Sequence, residues 1–530
     1  MKKLVDIQNL AGFAEGRREF LQLMGAGLVY GGVASALPGC GGGGSGNPDT
    51  QNPDVAIPAA SKQYTALKRT SFGVHRDEMI SIDSLGIPAY LEQQLDHLSI
   101  DDGTLEADLQ TLFPLLYQTA DQLYAGFPDN IGAVVQQAAA AAHYRQIFSK
   151  RQLYEVMVEF WTDHFNTQLL NGLGPTLKPT DDAEVIRPNA LGNFGDLVRA
   201  SAASPAMLFY LDNFSNQASA PNENYARELM ELHTLGVDGG YTEQDIKEVA
   251  RCFTGWSVHF VDDPAGDYGT FKYIDVAHDA GEKTVLGNAI VAGGGQSDAD
   301  QVFDLLITHP STAQFIATKL CRRFISDDPD QASINSVASA FSQSNGDIKD
   351  TLRALFATDA FNNSADLKFT RPSEFLAGLI RALAPDTAYP SDGGNLFYYS
   401  RSILGQVPFN WPTPDGYPDQ QSYWESTGGL LNRWRLSFIA YAEFIPEINI
   451  IDIDYVPMLN GANTLESVVD AIINNVLMRP MSTADRNHII EWLTAEPGIS
   501  ASAELSAQTA AQIAPAVAAV LVSSAYFQLR

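Results

Sequence analysis

The chain has 530 residues, 45% hydrophobic and 10% aromatic, which excludes general disorder and supplies a sizeable core. Its 63 acidic residues against 33 basic give a formal net charge of −30. Such a surface repels nucleic-acid phosphates and anionic headgroups, so no nucleic-acid partner is expected.

The N-terminal segment carries an address. Gly16-Arg17-Arg18-Glu19-Phe20-Leu21 sets paired arginines directly before a moderately apolar run, 20–37, the pattern of a twin-arginine signal. Leu37-Pro38-Gly39-Cys40 resembles a lipobox, which predicts lipidation at Cys40. The stretch GGGGSGNPDTQNPD that follows is too polar and flexible to fold and suits a tether. The expected organisation is a signal over 1–39, a tether over 40–60 and a helical body over 61–528, with a subdomain break near 295–310. The expected location is the periplasm, the outer membrane or the cell surface, with membrane contact through the lipid. Cys252 and Cys321 remain. They either pair in an oxidising compartment or sit as small buried hydrophobes.

From Ser61 onward apolar residues recur at helical spacing, and strand-like alternation is scarce. The pattern predicts helices over 89–95, 131–148, 151–165, 224–235, 242–253, 300–307, 311–324, 348–357, 372–383, 428–444, 464–477, 483–493 and 503–523. The region 268–290 is the best place for a small hairpin. The fold class is mostly α, a multi-helix globular protein with long loops and at most a small β-hairpin.

Three blocks combine polar and apolar residues in ways that suit chemistry. In YEVMVEFWTDHF, His164 shares a helix face with Phe160 and Trp161, a desolvated setting that keeps an imidazole neutral. A core histidine bonded to a carbonyl is the plainer reading. In PNENYARELMELHTLG, Asn222 or Asn224 can cap a helix that Gly236 ends. There Arg227, Glu228 and Glu231 fall within about a third of the circumference, and His233 lies at the edge of the apolar side. The plain alternative is a surface ladder, Glu223–Arg227–Glu231. Glu228, pressed against apolar surface, needs a partner, and His164 is a sensible one. In HDAGEKTVLG, His278 and Asp279 can ligate a metal and Lys283 can hold an anion, or the segment is a solvated turn.

FWTDHF, NENYARELMELHTLGVDGGYTEQDIKEVARCFTGW and HDAGEKTVLG, in that order, resemble the signature segments of the bacterial family called domain of unknown function 1800. LKRTSFGVHRDEMISIDSLGIPAYLEQQLD, CRRFISDDP, KFTRPSEFLAGLIRAL and FNWPTPDGYPD are similar to further segments of that family, with Asp415 and Tyr417 departing from its pattern. The resemblance spans about 61–528. It implies an exported, mostly helical protein of unassigned activity, with a second exported family, domain of unknown function 1501, as partner.

Two readings of function follow. In the first, the chain acts with an exported partner in envelope or surface assembly, and its polar clusters are buried networks. In the second it is a hydrolase or transferase acting on an envelope polymer. There His164, Glu228, His233, Arg227 and Lys283 carry acid/base work and anion binding, and Glu228, Glu231, His278 and Asp279 hold a divalent metal.

Overall fold

The computed structural model describes residues 57–264, 267–383, 403–442, 453–495, 501–502 and 504–530. Arg17, Arg18 and Cys40, with the signal and most of the tether, lie outside the described residues. Helices begin where a capping side chain takes up a free backbone N–H. Ser61, Asp330, Asp347, Ser482 and Ser506 each accept from a first-turn amide. Thr242 and Asp245 close the capping box that their spacing predicted. Each cap is worth about 1 kcal/mol.

The helices that build the site are numbered in chain order. They are α1 (Ile131–Phe148), α2 (Gln152–His164), α3 (Asn224–Glu228), α4 (Glu243–Cys252), α5 (Ser297–Ile307), α6 (Pro310–Phe324) and α7 (Pro372–Leu383). The buried alanines of α1, Ala138 to Ala142, let neighbours pack close to its axis. Leu153, Val156, Met157, Phe160 and Trp161 bury α2 on most of its circumference. Full burial of one such large side chain contributes about 1.5–3 kcal/mol. One hydrophobic cluster runs from Tyr64 to Phe527 and includes residues on both sides of 295–310. At Gly73 (φ +139) the chain comes so near α7 that a Cβ would lie 2.4 Å from the Gly378 Cα.

The mostly-α expectation holds, and the strand content is two antiparallel ribbons among the described residues. β1 (Trp256–Val258) pairs with β2 (Phe271–Tyr273), Trp256 opposite Tyr273. β3 (Lys283–Val285) pairs with β4 (Asn288–Ile290) across Leu286-Gly287. Both turn residues have positive φ, 49° and 76°, as a two-residue hairpin of matching twist requires.

The helix expected over 224–235 is α-helical only to Glu228. It continues as a π-turn, Leu229–Thr234, before Gly236 ends it at φ +83. Further π-turns occupy Asp181–Ile186 and Ile473–Leu477. Cys252 and Cys321 are free, buried thiols, each pushed up to about 12 by burial. No described helix is long and apolar enough to cross a membrane.

Candidate functional site

Helix α2 carries two sets of side chains at helical spacing. Glu155, Glu159 and Asp163, four residues apart, share one side, and Phe160 and His164 share another. On the acidic side Arg187 grips Glu155 with two hydrogen bonds, 3.1 and 2.9 Å. Arg371 donates to Glu159 and, at 2.9 Å, to Asp163. A cavity of about 40 Å³ runs along this row, lined also by Gln146, Thr162, Gln406 and Tyr417. That is room for about two or three waters. Burial, with Glu159 adding to it against Arg371, pushes the Asp163 carboxyl up to about 7. Deeper still, burial alone would raise Glu374, but Arg530, Arg323 and Arg371 override it and hold the carboxyl at about 2. Paired in this way the charges brace the core.

On the other side of α2 the His164 ring is buried. Its Nε2 donates to the His233 carbonyl at 3.0 Å, and its Nδ1 accepts from Lys319 Nζ, on α6, at 2.9 Å. These partners assign the proton to Nε2. Burial, then Lys319 and His233, hold His164 well below the usual imidazole range. Burial takes His233 down to about 3, and its Nε2 has no hydrogen-bond partner. Lys319 is part-exposed as a residue, but its Nζ points inward. Desolvation lowers it to about 8 despite the nearby Asp163 carboxylate.

The loop 409–424 covers this end of α2. Asn166 Nδ2 donates to the carbonyls of Trp411 and Thr413, at 3.0 and 2.7 Å. Gly416, at φ +73, passes so close that a Cβ would stand 2.0 Å from the Asp163 carbonyl oxygen. This anchorage presents Asp415, which accepts from Trp411 Nε1 at 2.9 Å, and the exposed Tyr423, whose ring is 5.7 Å from that of Trp411. Asp415 acts electrostatically on both Lys319 and Glu228. Glu228 is half-buried. Burial first, then Glu231 and Asp415, raise its pKa.

The expected site residues divide into separate groups. His164 and His233 meet in the interior, with ring centroids 6.0 Å apart. Glu228 is not the partner of His164, because both ring nitrogens are taken by Lys319 and the His233 carbonyl. The π-turn that begins after Glu228 carries His233, whose carbonyl takes the His164 Nε2–H. Arg227 lies at the surface between Glu223 (3.4 Å), Glu231 (3.6 Å) and Glu243 (2.7 Å), so the ladder expected there exists with one further carboxylate.

His278, Asp279 and Lys283 form a third group away from Glu228. Asp298, on α5, bonds Lys283 Nζ at 2.6 Å and His278 Nε2 at 3.2 Å, all three buried. Asp279 is gripped by Arg251, whose hydrogen bonds hold its carboxyl at about 2. Glu228, Glu231, His278 and Asp279 therefore do not share one centre. No group of three or more His, Cys, Asp or Glu is arranged for a metal ion among the described residues.

Reasoning from sequence missed Lys319, Asp163 and Asp415. Asp163 and Asp415 sit inside the quoted segments FWTDHF and FNWPTPDGYPD, and Lys319 stands two residues before CRRFISDDP. Residues 65–529 match the model of a family described as protein of unknown function, DUF1800. No curated protein and no solved structure matches.

Proposed function

The chain belongs to the DUF1800 family, and from that premise we propose that it is an exported envelope protein whose working centre is the acid/base site at Lys319 and Glu228. One observation carries the reading: an amine with a lowered pKa and a carboxyl with a raised one both feel the charge of Asp415. Environments that push two titratable groups in opposite directions prepare both for proton transfer. Glu228, shifted toward its protonated form, is the proton donor, and Lys319, shifted toward its neutral form, is the acceptor. His164 holds the amine in position through its Nδ1. Glu228, Asp415 and Tyr423 lie at or near the surface, which suits an extended envelope polymer as substrate of a hydrolase or transferase.

Titration of Lys319 tests this directly. Reductive methylation at a series of pH values, followed by peptide mass spectrometry, should show a midpoint near pH 8 at Lys319. A midpoint in the ordinary lysine range removes the basis of the reading. Export is tested separately. Replacing Arg17 and Arg18 with Lys should leave precursor in the cytoplasm, since lysine lacks the paired planar guanidiniums. Cys40→Ser should release the protein from membranes.

The second reading, assembly with an exported partner of the domain of unknown function 1501 type, is favoured by a different observation. Arg227, Asp279, His278 and Lys283 are already engaged by neighbouring side chains. In that reading they maintain the shape of a docking surface. Cross-linking in intact cells, with the exported partner recovered on the chain, tests it.

A further inference from the structure

We infer that Lys319 captures a small carbonyl compound, an aldehyde or ketone, as a Schiff base, with His164 and His233 as positioning residues; the inference rests on the acid/base reading above. Most other buried lysines are neutralised by a carboxylate. Lys178, Lys283 and Lys368 each ion-pair with an aspartate, at 2.7, 2.6 and 2.6 Å. Such a carboxylate stabilises the ammonium and suppresses its nucleophilicity. Lys319 Nζ instead donates to an uncharged imidazole, 2.9 Å away. Lys68 also lacks an ion pair and donates to the Phe527 carbonyl at 3.0 Å, but that residue is only 4% exposed and lies beyond reach. Lys319 is part-exposed along its side chain, and its Nζ points inward to His164.

Desolvation favours the neutral amine. With Arg322 as a neighbouring positive charge, it outweighs the Asp163, Asp415 and Asp419 carboxylates and the Phe315 ring, 5.6 Å from Nζ, all of which favour the ammonium. Desolvation beside a second cation is a general way to activate a lysine for carbonyl chemistry. A pKa of about 8 against 10.5 gives about 300-fold more neutral amine at neutral pH than an ordinary lysine has. His164 takes up one N–H without adding charge, and its own Nε2–H is tied to the His233 carbonyl, so the amine has a defined direction. The His233 Nε2, buried and unpartnered, is a second polar atom of this cluster with capacity left for a ligand.

The step balances without an oxidant or reductant. The Nζ lone pair forms a bond to the carbonyl carbon, and the carbonyl electron pair moves to oxygen. The nitrogen gives up its two protons, and both leave with that oxygen as water when the C–O bond breaks. The product is the imine.

The test treats the full-length protein with propanal and cyanoborohydride at neutral pH and maps the propylated lysines by peptide mass spectrometry. Lys319 should label at least tenfold ahead of every other lysine, and Lys319→Arg should abolish that adduct with the fold intact by circular dichroism. In His164→Phe the preference for residue 319 should fall, while a control lysine such as Lys247 labels as before. Lys319 labelling no faster than exposed lysines overturns the imine. If its titration midpoint is nonetheless near pH 8, the acid/base reading stands alone. If the midpoint is ordinary, both fall.

Discussion

Lys319→Met should stabilise the fold at neutral pH even though it removes a hydrogen bond. The folded pKa is about 8 and the unfolded reference is 10.5. Below pH 8 both states are protonated, and the folded state bears the cost of desolvating the ammonium. The difference corresponds to about 3 kcal/mol at most. Because part of the residue remains at the surface, solvent screening reduces this to about 1–2 kcal/mol. Against it stands about 1 kcal/mol for the bond to His164 Nδ1. Methionine fills the space of the aliphatic stem. The variant should therefore gain a few tenths to about 1 kcal/mol at pH 7.

The sign depends on pH. Between pH 8 and 10.5 the unfolded wild-type chain keeps a proton that the folded one has released, so wild-type stability rises with pH. The advantage of the variant should shrink across this window and reverse above it, where only the lost hydrogen bond remains. Urea midpoints of both proteins at pH 7 and pH 10 measure the difference and cancel the titration of other groups. A difference that does not change with pH would refute the claim that a desolvated ammonium is held there.

Asp298→Ala should cost about 3–5 kcal/mol in urea unfolding, because it strands the buried Lys283 ammonium. Adding Lys283→Met should recover much of that loss. Gly416→Ala should displace the 409–417 loop, since its Cβ would collide with the Asp163 carbonyl at a left-handed φ. Faster hydrogen exchange in that loop and altered Trp411 fluorescence would report it, and unchanged exchange would count against the close approach. On acidification, His143, His233 and Glu374 all have folded pKa values below their ordinary ones, about 4, 3 and 2. Their stability is present above pH 6.5 for the histidines and 4.5 for the glutamate, and is lost as pH falls toward the folded values. His143→Gln should flatten the part of the stability profile between pH 6.5 and 4.

Much of the secondary structure was legible because it depends on local chemistry. The bounds of Ile131–Phe148 and Pro372–Leu383 matched, and Thr242 capped its helix with Asp245 as their spacing required. The helix Gln331–Gln343 was missed, because its serines and single asparagine blur the apolar stripe that the Asp330 cap would otherwise announce. The hairpin of β3 and β4 falls within 268–290, where one was expected, although Leu286, a poor candidate for positive φ, occupies its turn. Such conformations are held by surrounding structure rather than by residue preference.

By itself the sequence determined the mostly helical class, the family and the arginine and cysteine pattern that motivates export. Each of these resides in spacing or in contiguous motifs. It also singled out His164, by its place on a helix face with Phe160 and Trp161, and His233, by its place at the edge of an apolar helix side. Only the tertiary structure decided what each polar group meets. It separated His278 and Asp279 from Glu228, and it brought Lys319 to His164 across 155 residues of chain. It also replaced a regular helix by a π-turn after Glu228, and it gave His164 partners other than the Glu228 expected for it. Ionisable side chains take their reactivity from burial and from the nearest charge. Both are set by segments far apart in sequence, so no local pattern encodes them.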